Sequence, residues 1–180
     1  MQRAFVVVAA ATVLALAPAM ARASRAAPID PGATILLAKQ TRTSGCRVSP
    51  SPDRRCSPGA YSKNLTKAVI CSPAFHTGDY RNVPDSEKTS VEAAYGIAPK
   101  SYGASQEIDH IVSLELGGSN AVANLFPEKA SPSPGYRVKD KLENKVHDMV
   151  CAGEITLAAA RRQIATNWRA LFKKVYGIAP

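Results

Sequence analysis

Past its N-terminal stretch the chain has no apolar run of the ~20 residues that a membrane-spanning helix needs, which excludes a multi-span membrane protein. It has no Cys-x-x-Cys pair either. Its four cysteines stand 10, 15 and 80 residues apart, against the short ligand spacing of structural zinc sites. There is no recognition-helix signature, no zinc finger and no RNA-binding aromatic motif, so nothing is set up to read base edges. Acids are scarce: Asp+Glu number 14 against Lys+Arg 23, a net charge of +9. Hydrophobic residues at 46% and charged residues at 21% exclude a wholly disordered chain, and 180 residues suit one domain with appendages.

Gln2-Arg3 precedes the apolar run Ala4 to Pro18, followed by small residues at Ala19, Ala21 and Ala23. That pattern reads as a signal peptide over residues 1–23, interrupted by Pro18 and Arg22 as a membrane anchor would not be. Its removal takes away Arg3 and Arg22 and no acid, so +9 falls by two to +7 and the basicity belongs to the mature chain. A secreted or periplasmic location follows, with no membrane association after cleavage. An even set of cysteines suits an oxidising compartment. Four cysteines permit three pairings, of which we favour Cys46 with Cys56 as a local loop and Cys71 with Cys151 as a long staple, over a metal site.

Residues 24–60 hold Pro28, Pro31, Pro50, Pro52 and Pro58 among serines, glycines and arginines, an extended leader with neither helix interior nor sheet centre. The folded domain is expected over 61–180. Pro84 to Tyr95 has helix polarity, proline and acids first and Gly96 last. Glu107 to Leu114 alternates Ile108, His110, Val112 and Leu114 with Asp109, Ile111 and Ser113, a buried strand. Gly117-Gly118-Ser119-Asn120 is turn chemistry, and Val122 to Phe126 would complete a hairpin. Pro127 to Gly135 reads as a connection. Tyr136 to Val150 is an amphipathic helix ended by Gly153. Thr156 to Val175 is another, with Leu157, Ala160, Ile164, Trp168 and Leu171 along one stripe and Arg161 placed on its surface. Tyr-Gly-Ile-Ala-Pro occurs at 95–99 and again at 176–180, a stop signal in both places.

These elements gather Asp109 and His110 from the first strand, Asn124 from the second, and Glu143 and His147 from the helix. At 100° per residue from Val138 the apolar positions fall at about 0–120°, and Asp140, Glu143, His147 and Cys151 at about 140–220°. Glu143 and His147 thus stack one turn apart beside the buried face.

Asp109-His110, then Leu116-Gly117-Gly118, then Asn124-Leu125, then a helix with His147, resembles the HNH endonucleases of the ββα-metal fold. The string Glu107-Ile108-Asp109-His110-Ile111-Val112-Ser113-Leu114-Glu115-Leu116-Gly117-Gly118 and the later Lys139-Asp140-Lys141-Leu142-Glu143-Asn144-Lys145-Val146-His147 are similar to a group of small secreted bacterial HNH-like proteins. The likeness runs from about residue 56 to 175. It departs from the family at Ser113, where many members have proline, and at Phe126, where relatives often have tryptophan.

The resemblance implies an α+β fold with a ββα core at about 105–151 and flanking helices, stapled by disulfides. It implies a metal-dependent endonuclease that hydrolyses phosphodiester bonds, with His110 as the general base that activates water. Asn124 would orient the base loop or, as in some members, touch the metal. Asp109 and His147, with Glu143 as a further candidate, would hold one divalent ion, Mg2+ or Mn2+, with Zn2+ or Ni2+ as alternatives. The partner expected is nucleic acid, DNA contacted through its backbone with little sequence specificity; an immunity or inhibitor partner cannot be read. The competing reading is a non-catalytic basic binding protein on an HNH scaffold, for nucleic acid or anionic envelope polymers.

Overall fold

The computed structural model describes residues 27–47, 51–103, 105–131 and 134–180, so the segment expected as a signal peptide lies outside the described residues. The chain is α+β. Strand β1 (Thr34–Leu36) pairs antiparallel with β2 (Ala60–Ser62), and β3 (Gln106–His110) pairs antiparallel with β4 (Leu125–Lys129). Between and after them lie α1 (Lys67–Ile70), α2 (Asp85–Tyr95), α3 (Tyr136–Ala152) and α4 (Leu157–Tyr176). Among the described residues no helix is long and apolar enough to cross a membrane.

The helices begin and end where their caps dictate. Pro84 precedes α2, and Thr156 caps α4 by accepting the Ala159 N–H. The two copies of Tyr-Gly-Ile-Ala-Pro stop helices in the same way, because Gly96 (φ 62°) and Gly177 (φ 73°) both take the left-handed turn that glycine enters without steric cost. Leu142, Val146 and Val150 of α3 and Ile164, Trp168 and Leu171 of α4 enter one core with Val91 and Tyr95 of α2 and Leu116, Leu125 and Phe126.

The hairpin differs from the expected one. Strand β3 stops at His110, four residues early, and the second strand runs 125–129 rather than 122–126. The cause is Asn124, whose side chain takes both the N–H and the C=O of Val112 and so replaces the ladder there. The segments 114–116 and 122–124 become single 3-10 turns. Pro127, expected in a connection, sits in β4 opposite Ile108; in a two-stranded sheet both strands are edges, where a missing N–H is tolerated.

The leader departs from expectation too. Its residues form β1 and the first residue of β2, and Cys46 and Cys56 are buried in the common core. Arg161, expected on the surface, is buried, giving its Nε to Leu116 O (2.8 Å) and Nη2 to Leu65 O (2.7 Å), with the guanidinium 4.0 Å over the Tyr61 ring. Burial pulls its pKa down to about 10. Its angle on the helix explains this: about 40° from Leu157, it falls beside Ile164 and Trp168 on the stripe.

The cysteines pair as favoured, Cys46 with Cys56 and Cys71 with Cys151. Inside the small loop Asp53 accepts from Arg47 N, Arg55 N and the Arg55 guanidinium, which holds its carboxyl below the usual value of 3.8. A depressed folded pKa contributes stability that is full above the unfolded value and is lost as pH falls through the folded one. Asp53→Asn is therefore expected to lower the thermal midpoint at neutral pH. The gap to wild type should close as the pH is lowered from about 5 to about 2 in thermal melts, and a gap independent of pH would refute the assignment.

Gly118 explains the second glycine of the turn. A Cβ there would fall on the Val112 carbonyl oxygen, which is main chain held by Asn124 and cannot yield. Gly118→Ala is expected to cost about 3 kcal/mol in denaturant unfolding, and a loss within ~0.5 kcal/mol would contradict the packing.

Candidate active site

Strand β3 ends on two neighbours that point to opposite sides, as strand geometry requires. Asp109 lies on the same face as Glu107 and the paired Glu128, toward α3; His110 turns toward the loop that follows. Both border a polar cavity of about 250 Å3 with Arg81, Glu115, Asp140, Glu143 and Asn144.

His110 is 5% exposed, and its Nε2 lies 2.8 Å from Asn120 Oδ1. Asn120 gives its amide N–H groups to Tyr80 O (2.9 Å) and Asn82 O (3.1 Å). Its oxygen is thereby the end that meets the ring, so Nε2 carries the proton and Nδ1 is left with a lone pair. Burial is the largest influence on the ring and moves its pKa down, outweighing Asp109 and Asn120, which raise it. The neutral ring is thus favoured, with one nitrogen already committed.

Lys139 is the centre of the other half. Its side chain is 1% exposed, and its Nζ bonds Asp109 Oδ2 (2.5 Å), Glu143 Oε1 (2.5 Å) and the main-chain oxygen of His110 (2.8 Å). Glu128 Oε2 stands 3.8 Å away. Burial raises Glu143 to about 8 and Glu128 to about 9, in spite of the ammonium. Both Glu128 oxygens are buried without a hydrogen-bond partner, and of two carboxyls so close to one another one is favoured to keep its proton. Glu128 is that one. Burial acts on Asp109 in the opposite sense to its partners, and Lys139, with Glu128 beside it, prevails to hold it low. Burial thus favours the protonated form of Glu128 and Glu143, while the ammonium favours the charged form of Asp109.

Compared with known protein families, with curated proteins and with solved structures, the chain matches none.

The residues singled out in the sequence are therefore placed by geometry alone. Asp109, Glu143 and His110 come together. His147 does not join them: its Nε2 donates to Ile70 O (3.0 Å), with Cys151 Sγ at 3.5 Å, and it borders a neighbouring cavity of about 570 Å3. Glu115 and Asn144 line both cavities. Asn124 is fully buried and spends all its bonds on main chain, at Ala60 N, Val112 N, Val112 O and Ser119 O. It fixes the loop that carries Asn120, and Asn120 touches the imidazole.

A shared divalent ion does not fit Asp109, Glu143 and His147 as they stand. Two of the three give an oxygen to Lys139 and the third faces the other cavity. Among the described residues the donors that do converge, within 4.8 Å of one another, are those of Cys71, His147 and Cys151. Their two sulfurs are bonded to each other, so that group is a metal site only for the reduced chain.

Lys139, Arg81 and Asn120 are among the residues of the site that went unassigned in the sequence. Lys139 carried a signal, since at 100° from Val138 it lies inside the apolar sector of α3. Arg81 borders the cavity, exposed, with no side-chain hydrogen bond or ion pair among the described residues. Asn120 looked like turn chemistry and nothing more.

Proposed function

We propose that the His110 cavity hydrolyses phosphodiester bonds in nucleic acid, DNA in the first instance. The observation that carries this is the imidazole bordering the cavity with Nε2 bonded to Asn120, which leaves the lone pair on Nδ1. Such a group takes a proton from water near neutral pH. The water oxygen bonds to phosphorus, the bond from phosphorus to one sugar oxygen breaks, one water proton passes to Nδ1, and the leaving oxygen takes a proton from solvent through the open cavity. Arg81 supplies positive charge to a non-bridging oxygen at the cavity rim.

Other features support the reading. The element order β3, β4, α3, with the Asp109-His110 pair at a strand end, is that of the ββα unit in HNH endonucleases. A mature charge of +7 favours backbone contact with a polyanion, sensitive to salt. Two disulfides suit a secreted or periplasmic protein. Supercoiled plasmid incubated with the protein is expected to become nicked, and Arg81→Ala to slow this about 10²-fold. Absence of nicking by wild type with and without added divalent metal would reject the proposal in favour of a binding protein.

A further inference from the structure

We infer that the ammonium of Lys139 is the resident cation of the acid cluster joining β3, β4 and α3, and that it keeps a divalent ion out. The nitrogen has three N–H donors and three acceptors at bonding distance: Asp109 Oδ2, Glu143 Oε1 and His110 O. No donor is left over, and one carboxyl oxygen of Asp109 and one of Glu143 are taken by the ammonium. The cation also cannot step aside cheaply. It reaches the cluster from α3 itself, one turn before Glu143, and its side chain is 1% exposed. An ion entering beside it would set like charges a few ångströms apart in a buried site, where repulsion is poorly screened.

The ammonium also bonds the main chain of the base and the carboxylate of its neighbour. Lys139 is thus a positioning residue: it fixes the end of β3, and with it the ring whose other side Asn120 holds. The proposed hydrolysis then runs without an ion on Asp109 or Glu143. This last step rests on the reading of His110 as the base; the occupancy of the cluster does not.

The test separates the two. Full-length, disulfide-intact protein freed of metal is titrated with Mn2+, free Mn2+ being followed by electron paramagnetic resonance. Wild type is expected to leave the signal undiminished. Lys139→Met, whose side chain keeps the length and loses the charge, is expected to take up one ion per chain and to lose it again when Asp109→Asn is added. Uptake by wild type that disappears in Asp109→Asn or Glu143→Gln would overturn the inference, as would a folded Lys139→Met that takes up none. Should Lys139→Met fail to fold, wild type decides through nuclear magnetic resonance. A slowly exchanging Nζ signal that survives Mn2+ is expected, and its quenching would overturn the inference. In the kinetic arm, plasmid nicking by wild type should stay within about twofold in EDTA. A loss in EDTA that Mn2+ restores for wild type but not for Asp109→Asn would also overturn it. Absence of nicking everywhere sinks the nuclease reading and leaves the Mn2+ titration to decide the cluster.

Discussion

His110→Ala is expected to slow plasmid nicking by about 10²–10⁴-fold, the span a positioned general base contributes. The loss should be chemical rather than structural. Among the described residues the His110 ring bonds only Asn120, while its main-chain oxygen, which Lys139 needs, survives the substitution. The substitution leaves a ring-sized space beside a polar cavity, so free imidazole should restore part of the rate. A merely unfolded variant would not respond. Asn120→Ala should act in the same direction with a smaller effect, about tenfold, because the ring stays but loses the partner that fixes its tautomer. If His110→Ala nicked plasmid as fast as wild type, the imidazole would be a satisfied core residue. The basic binding protein would then be the better account.

The second large effect is on stability. Replacing Cys71 and Cys151 together by serine opens a loop of 80 residues, which in the entropy model removes about 4.5 kcal/mol. For a chain of this size that is a fall of about 10 °C in the thermal midpoint. Opening Cys46–Cys56, only 10 residues apart, should cost less, about 2.7 kcal/mol in the same model. The long staple ties the last turn of α3 to the residue after α1, and His147 bonds Ile70 O at the same place. Scanning calorimetry of the two double variants measures the order directly, and an equal or reversed ranking would refute it.

Lys139 and Arg161 illustrate what kind of information the sequence withholds. Both lie inside the apolar sector of their helices by angle alone, and a cation on such a stripe is either an end that reaches water or a group with buried partners. Periodicity cannot separate those outcomes. The partners come from elsewhere: Asp109 and the His110 carbonyl from β3 for one, Leu65 O and Leu116 O for the other. Asn120 and Asn124 pose the same problem. One follows the Gly-Gly turn and the other ends the 3-10 turn before β4, and only the folded chain distinguishes the one that touches the imidazole from the one that replaces a strand ladder.

The sequence by itself determined what local chemistry controls. It set the limits of α2, α3 and α4, through Pro84, Thr156 and the glycines at 96, 153 and 177, because capping depends on residues within a turn of the helix end. It placed a strand ending in Asp109-His110, and it favoured, among three possible cysteine pairings, the one the structure shows. Tertiary structure alone decided where β3 stops, since the group that ends it is a side chain 12 residues downstream of the Val112 it binds. It decided that Asp109 and Glu143 meet an ammonium and that His147 turns to Ile70 in another cavity. Those outcomes depend on the direction of side chains on separate elements once packed, and sequence spacing fixes the faces of an element but not what the opposing element brings to them.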